Sequence, residues 1–201
     1  GKCIVTIEIC SIEYELAGQR FIGRLARESS TPEPQPGVLV APTWAGRGAF
    51  EEDKCRQLAG MGYAAMALDI YGDGRRGADL EENAALMAPL LSDRATLQAR
   101  MVAARDALAA RPETDEARLA AIGYCFGGLC VLDLARSGAP LAGVASFHGL
   151  FTPPPYPVET ISARVLCLHG YDDPLALPEA MTGLATELTA AGADWQIHAY
   201  G

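Results

Sequence analysis

The sequence predicts an α/β fold in which helices alternate with the strands of a mostly parallel, doubly wound sheet. Three observations support this class. Six short β-branched or apolar runs are spread over residues 38–199, and most suit strands buried on both faces. Amphipathic or helix-forming segments separate most of these runs. Strands that alternate with helices form right-handed crossovers, which build parallel sheets.

The N-terminal part of the chain predicts an antiparallel hairpin at the edge of the sheet. Residues 3–16 and 19–26 are β-branched or apolar, and Ala17 and Gly18 between them suit a two-residue turn. Residues 29–37 contain three prolines, which cannot donate ladder hydrogen bonds. This segment is therefore predicted to be a connection, after which the alternation begins.

The remaining elements follow in chain order. The predicted strands cover residues 38–41, 63–68, 119–122, 141–146, 164–168 and 195–199. The predicted helices cover residues 50–59, 92–110, 129–136 and 178–191. Helix breakers follow three of them, namely Gly60, Pro112 and Gly192. The second helix has an apolar stripe that is assigned to the core rather than to a cofactor site: Leu97, Met101, Ala104 and Leu108.

Length and composition exclude several function classes. The 201 residues suit a single domain, 1–201, which is expected to lack its C-terminal segment. A net charge of −9 without a basic stripe argues against nucleic acid as a partner. No apolar run approaches the ~20 residues of a membrane span, and no targeting signal is visible, so a cytoplasmic location is predicted. The six cysteines lack the spacing of a disulfide framework or a zinc site, so reduced thiols are expected.

The most informative motif is Gly-x-Cys-x-Gly-Gly at residues 123–128, between a predicted strand and a predicted helix. In a nucleophile elbow the chain turns from strand to helix at once, and glycines remove side chains that would clash. Such a turn puts Cys125 at a helix N-terminus, where free amides and the macrodipole favour a thiolate. The alternative is a tight turn around an unreactive buried cysteine. The strand-to-helix context favours a nucleophile.

Two carboxylates follow a later strand at the same predicted edge of the sheet. Asp172 and Asp173 come soon after the strand at 164–168, and the carboxyl ends of parallel strands are where ligands bind. A carboxylate there can orient a histidine that deprotonates the nucleophile. The alternative is that Asp-Asp-Pro forms a turn in which an Asp side chain binds local amides.

These two motifs resemble those of the dienelactone hydrolase family of α/β-hydrolases. The elbow at 123–128 and Gly-x-x-Asp at 170–173 carry the resemblance, which extends over nearly the whole chain. It implies the α/β-hydrolase fold with an antiparallel N-terminal hairpin and no large lid. It further implies that Cys125 is the nucleophile and that Asp173, rather than Asp172, is the acid of the catalytic triad.

The resemblance also implies a reaction. A small ester or lactone is hydrolysed by acyl transfer to Cys125, the backbone amides of Trp44 and Phe126 bind the oxyanion, and no cofactor or metal is required. A compact domain of this kind permits a monomer or a small homo-oligomer. Two alternatives stay open: a thioesterase or general carboxylesterase that uses the same site, and a non-catalytic relative that binds a small ligand.

Three departures from the family limit what the resemblance implies. Thr43 stands where founding members have a glutamate that interacts with the cysteine, so activation of the thiol is expected to differ. Arg75 and Arg76 come slightly later than the family arginine that binds a substrate carboxylate. Together with Thr43 they are candidate substrate-binding residues, and the alternative for the two arginines is a solvated loop. The third departure concerns the catalytic base.

The triad histidine of the family follows the last strand. His198 is the only histidine after Asp173, but it lies within the predicted strand at 195–199 and is assigned to a strand face. His148 and His169 precede the acid and are assigned to structural positions. The hypothesis is that the intact protein continues beyond Gly201 and supplies the base there.

Overall fold

Eight strands and five helices follow one another along residues 6–201, the part of the chain that the computed structural model describes. The strands are β1 (Ile7–Leu16), β2 (Gln19–Glu28), β3 (Gln35–Ala41), β4 (Ala64–Ala67), β5 (Thr114–Tyr124), β6 (Gly143–Phe147), β7 (Arg164–Gly170) and β8 (Trp195–Tyr200). The helices are α1 (Ala49–Ala59), α2 (Leu80–Ser92), α3 (Arg94–Ala109), α4 (Phe126–Arg136) and α5 (Pro178–Ala190). The predicted α/β class is confirmed.

The sheet has the order β1-β2-β4-β3-β5-β6-β7-β8. Strand β2 pairs antiparallel with β1 and with β4, and all the other pairs are parallel. Ala17 and Gly18 join β1 to β2 with φ angles of 50° and 78°, as a tight two-residue hairpin turn requires. The predicted hairpin is therefore confirmed, although Cys3, near the start of its first strand, lies outside the described residues.

Strand β3 begins inside the segment predicted to be a connection. The Gln35 amide donates to the Glu113 carbonyl at 2.8 Å, so pairing with the next strand starts here. The register of β3 against β5 then shifts between Pro36 and Gly37. Pro36 is tolerated because it lies at this irregularity, where the regular ladder is interrupted.

Helix α2 was not among the predicted helices, and it takes the residue at which the following helix was expected to begin. Ser92 ends α2, and Asp93 caps α3 by accepting a hydrogen bond from the Thr96 amide at 3.0 Å. Few side chains of α2 are buried, so its apolar stripe is weak, and Pro89 inside it favours a break. The helix depends on its tertiary environment more than on its own pattern.

The core lies on both faces of the sheet. On one face α3, α4 and α5 pack against the strands, and the predicted stripe of α3 from Leu97 to Leu108 is fully buried. On the other face Cys55 and Ala59 of α1 pack against small side chains of β2, β3 and β4. None of the helices within residues 6–201 is both long and apolar enough to cross a membrane.

Candidate active site

Neighbouring parallel strands bring the residues singled out in the sequence to one edge of the sheet. Strands β3, β5, β6 and β7 lie side by side and run in the same direction. Their carboxyl ends, with that of β4, carry the candidate residues: Thr43 and Trp44 after β3, Arg75 and Arg76 after β4, Cys125 after β5, and Asp173 after β7. This edge is therefore the candidate active site.

Cys125 has the backbone conformation of a nucleophile elbow. Its φ and ψ angles are 57° and −120°, a strained combination for a residue with a side chain, and α4 begins at the next residue. The Cys125 amide donates to the Phe147 carbonyl at 3.0 Å, and the Cys125 carbonyl accepts from the Gly128 amide at 2.9 Å. These bonds hold the strained residue between β6 and the first turn of α4.

Two glycines let the backbone approach closely around the elbow. A Cβ atom on Gly123 would lie 2.0 Å from the Gly127 carbonyl oxygen, so a side chain there would displace the first turn of α4. A Cβ atom on Gly127 would lie 2.5 Å from the Ala41 carbonyl oxygen. The first turn of α4 thus packs directly against the end of β3, beside the segment that contains Trp44.

The electrostatic setting of Cys125 differs from the sequence expectation. Burial raises the pKa of the Cys125 thiol, the Phe126 amide lowers it by a hydrogen bond, and the charge of Asp173 raises it again. The net direction is upward: the amide at the start of α4 favours the thiolate as expected, but burial and the charge of Asp173 outweigh it. Desolvation of the sulfur outweighs the helix amides. A raised pKa favours the neutral thiol at neutral pH, so a nucleophilic role for Cys125 would require a base that removes its proton.

This setting predicts the pH dependence of alkylation. Because iodoacetamide reacts with the thiolate and a raised pKa favours the neutral thiol, alkylation of Cys125 is expected to be slow at pH 7 and to accelerate only at alkaline pH. Asp173→Asn removes a negative charge that raises this pKa, so its rate profile is expected to move to lower pH. The exposed neighbour Asp172 offers a control, Asp172→Asn, with a smaller shift. An unchanged pH profile in Asp173→Asn would contradict the effect of the Asp173 charge on the pKa of the Cys125 thiol.

Asp173 is half-buried, whereas Asp172 is exposed, and only Asp173 affects the Cys125 thiol. Its Oδ1 atom accepts a hydrogen bond from the Leu175 amide at 2.9 Å, as the turn interpretation expected. Its Oδ2 atom accepts no hydrogen bond from residues 6–201. One oxygen therefore stabilises the turn, while the other is left to orient a base, and the role of triad acid stays a prediction.

The histidine rings make other contacts. His169 is buried, with Nε2 2.8 Å from the Ala176 carbonyl oxygen, and His198 is exposed on β8 with Nε2 3.0 Å from Gln196 Oε1. His148 is exposed after β6. Within residues 6–201, no histidine ring is hydrogen-bonded to Cys125 or Asp173, so the position of the base also stays a prediction. The same residues contain no group of three His, Cys, Asp or Glu side chains placed to hold a metal ion.

The Trp44 peptide lies beside the elbow. Its carbonyl accepts a hydrogen bond from the Tyr71 hydroxyl at 2.7 Å, and the Tyr71 ring stacks on the Phe126 ring with centroids 6.4 Å apart. The Trp44 amide donates no hydrogen bond to residues 6–201. The Phe126 amide is the first of α4 and directly follows Cys125 in the chain. An oxyanion hole requires two such amide donors, and the assignment of the Trp44 and Phe126 amides to one stays a prediction.

Sequence reasoning missed Glu51, which is hydrogen-bonded to both ends of the loop that contains Trp44, residues 43–48. The side chain is only 2% exposed, Oε1 accepts from the Thr43 amide at 3.2 Å, and Oε2 accepts from the Gly48 amide at 2.8 Å. The signal in the sequence is the spacing Gly48-x-x-Glu51 at the start of α1, because glutamate at the third helical position completes a capping box. Thr43 itself contributes its amide to this arrangement.

The two candidate arginines differ in their contacts. Arg75 donates to the Tyr71 and Gly72 carbonyls at 2.6 and 3.3 Å, so its guanidinium stabilises its own loop. Arg76 is exposed, lies over Gly48 at the start of α1, and has no hydrogen bond or ion pair with residues 6–201. Of the two, Arg76 is the one whose guanidinium is available to a ligand.

A buried ionic network, also missed by sequence reasoning, supports the site from behind α4. Arg94 binds both oxygens of Asp133 at 2.6 and 2.7 Å, and Arg136 donates to the same carboxylate at 3.0 Å. Arg136 also binds Glu187 of α5 at 2.7 and 3.2 Å. Arg94 further donates to the Thr152 carbonyl at 3.3 Å. The network therefore joins three helices to the loop that follows β6.

Comparison with known proteins gives concordant matches. The model of the dienelactone hydrolase family matches residues 21–201. A protein of Yersinia pestis, provisionally named a carboxymethylenebutenolidase, is 29% identical over 196 residues, which are 91% of this chain and 72% of that protein. Two solved structures are also similar, and the match covers 97% of this chain and 82% of each. The first, m3DLH, is 41% identical with a TM-score of 0.92. The second, a dienelactone hydrolase-like promiscuous phosphotriesterase from metagenomic libraries, is 34% identical with a TM-score of 0.89.

Proposed function

Since the chain belongs to the dienelactone hydrolase family, it is a hydrolase of ester or lactone bonds, and we propose that it breaks them by acyl transfer to Cys125. The observation that carries the proposal is the conformation of Cys125, which lies at the tip of a strand-to-helix turn with a φ angle of 57°. A side chain in this position is presented at the carboxyl edge of the sheet, where a substrate carbonyl can reach its sulfur.

The proposed reaction has two stages. The sulfur of Cys125 attacks the carbonyl carbon while its proton passes to a base oriented by Asp173, and the Trp44 and Phe126 amides stabilise the oxyanion. The oxyanion collapses and the C–O bond breaks, so that the alkoxide takes the proton from the base and leaves a thioester on Cys125. Water, deprotonated by the same base, then hydrolyses the thioester and restores the thiol. No cofactor takes part in these steps.

The raised pKa of the Cys125 thiol fits this sequence of proton transfers. Burial keeps the sulfur neutral between turnovers, so the thiolate forms only when the base removes its proton during the reaction. A histidine is the side chain whose unperturbed pKa suits that task near neutral pH. The base is proposed to come from a histidine that follows the last strand.

Arg76 is the proposed contact for a substrate that carries a carboxylate. Its guanidinium is exposed beside Gly48, at the end of the loop that contains Trp44, and makes no ion pair within residues 6–201. A guanidinium in this state can bind a carboxylate through two parallel hydrogen bonds. Arg75 is a weaker candidate, because its donors already bind loop carbonyls.

Hydrolysis of phosphotriesters at the same site is a second candidate activity. It is favoured by the 34% identical relative that is named a promiscuous phosphotriesterase. Parallel assays with a p-nitrophenyl carboxylic ester, a lactone, a thioester and a p-nitrophenyl phosphotriester separate the substrate classes. Turnover of none of them would favour the non-catalytic relative that the sequence left open.

Trapping the covalent intermediate tests the proposal directly. Rapid mixing with excess p-nitrophenyl acetate, followed by an acid quench, is expected to add one acetyl group to the protein, and peptide mapping should locate it on Cys125. The thioester is stable in acid, so the adduct survives the analysis. An acetyl group on a different residue in a protein that turns the ester over would refute Cys125 as the nucleophile.

A further inference from the structure

The loop at residues 43–48 is closed by one buried side chain. Glu51 accepts a hydrogen bond from the Thr43 amide at 3.2 Å through Oε1 and from the Gly48 amide at 2.8 Å through Oε2. These amides lie at the two ends of the loop. A single carboxylate therefore ties the residue that precedes Trp44 to the start of α1.

The burial of Glu51 is more than helix capping requires. A capping-box glutamate performs its task at the surface, but Glu51 is only 2% exposed, and burying a carboxylate is costly unless strong partners compensate. Within residues 6–201 it forms no ion pair, since the nearby Arg47 pairs with Glu52 at 2.6 Å. Its compensation comes from the two loop amides and the N-terminus of α1. The bond to Thr43 lies outside the helix and points to a role in the loop.

The hydrogen bonds around Trp44 fix the direction of its amide. The Thr43 carbonyl accepts a hydrogen bond from the Gly46 amide at 3.0 Å. In a trans peptide the N–H points opposite to the C=O, so the Trp44 N–H is turned away from Gly46. The Tyr71 hydroxyl holds the next carbonyl, that of Trp44, at 2.7 Å. The Trp44 amide is thus held on both sides, and it has no acceptor within residues 6–201.

We propose that Glu51 and Tyr71 are positioning residues that hold the Trp44 amide in the orientation needed to bind the oxyanion. Glu51 acts through the Thr43 amide, and Tyr71 acts through the Trp44 carbonyl. This inference rests on the proposed function, in which that amide stabilises the tetrahedral intermediate. A preorganised donor is effective because it needs no reorientation when the charge develops.

Two conservative variants test the inference. Glu51→Gln keeps one acceptor oxygen but turns an NH2 group towards a loop amide, and Tyr71→Phe keeps the ring stacked on Phe126 but removes the hydroxyl. In each variant kcat for p-nitrophenyl acetate is expected to fall about 10- to 100-fold, while KM changes less than about threefold. The fall in kcat should not exceed the fall caused by removing an oxyanion-hole donor altogether.

The alkylation rate of Cys125 distinguishes a positioning role from a merely structural one, because damage to the structure of the site would change this rate as well. Displacement of iodide from iodoacetamide develops no oxyanion, so its rate constant in both variants is expected to stay within about twofold of the parent value. The control on the same helix is Asp53→Asn, because Asp53 is exposed and pairs only with Arg56. Its kcat is expected to equal that of the parent.

The outcomes separate this inference from the proposed function. An unchanged kcat in both variants, or a fall in kcat with an equal fall in the alkylation rate, would overturn the positioning role. If Glu51→Gln does not fold, Tyr71→Phe decides alone by the same criteria. Failure of the proposed function would show itself differently, as full activity in Cys125→Ala.

Discussion

Replacing Cys125 by alanine is expected to lower ester turnover by a factor on the order of 10⁴ or more, because the change removes the atom that is proposed to form the covalent bond. The fold is expected to persist. Alanine has a Cβ atom like cysteine, so it meets the same backbone strain at a φ angle of 57°. Steady-state hydrolysis of p-nitrophenyl acetate and thermal unfolding of the same preparation measure the two effects.

Cys10→Ala is the matched control for this experiment. Cys10 is an exposed thiol on β1, at the edge of the sheet opposite β8 and outside the candidate site. Its removal is expected to leave turnover unchanged, which excludes a general effect of losing a thiol. Turnover in Cys125→Ala close to that of the parent protein would show that this sulfur is not the nucleophile, whatever the effect of Cys10→Ala.

The largest effect on stability is expected for Asp133→Ala, at about 3–5 kcal/mol in the free energy of unfolding. Asp133 is fully buried and binds Arg94 and Arg136, which are 4% and 1% exposed. Removing the carboxylate leaves two buried guanidinium groups without their shared partner. Burial lowers the pKa of Arg94, and the hydrogen bond and charge of Asp133 more than reverse this, so the arginine stays charged.

Urea unfolding of Asp133→Ala measures this effect. For a domain of about 200 residues, the expected loss also corresponds to a fall in the melting temperature of roughly 10 °C. The control is Asp194→Ala, because the pair of Asp194 and Arg164 is exposed and its atoms are 3.5 Å apart. An exposed pair contributes less than about 1 kcal/mol. If Asp133→Ala and Asp194→Ala lost the same small amount of stability, the network would not hold the helices together.

The fold was predictable from sequence wherever the signal was local. The hairpin turn at Ala17 and Gly18, the end of α1 at Gly60 and the buried stripe of α3 were all predicted, because turn residues, helix stops and periodicity act on neighbouring residues. The errors lie where the structure depends on contacts between distant segments. Helix α2 and the start of β3 depend on partners elsewhere in the chain, and their prolines favoured irregular structure.

In the candidate site, too, the features that depend on adjacent residues were predicted and those that depend on distant residues were missed. The elbow around Cys125 was visible because strand, glycines and helix are adjacent in the chain. Glu51 was missed because the capping pattern predicts its bond to Gly48 and not its bond to Thr43. The ionic network was missed because Arg94 and Asp133 are 39 residues apart, and no short pattern joins them.

By itself the sequence determined the α/β class, the strand-to-helix turn at Cys125 and the family to which the chain belongs, since each follows from short-range pattern and motif. Only the tertiary structure decided the ionisation of the Cys125 thiol and the contacts that support the candidate site. Burial raises the pKa of Cys125 above what a helix N-terminus alone would produce. Glu51 and Asp133 acquire their partners only when distant segments pack, because desolvation and hydrogen bonding depend on distances in space rather than along the chain.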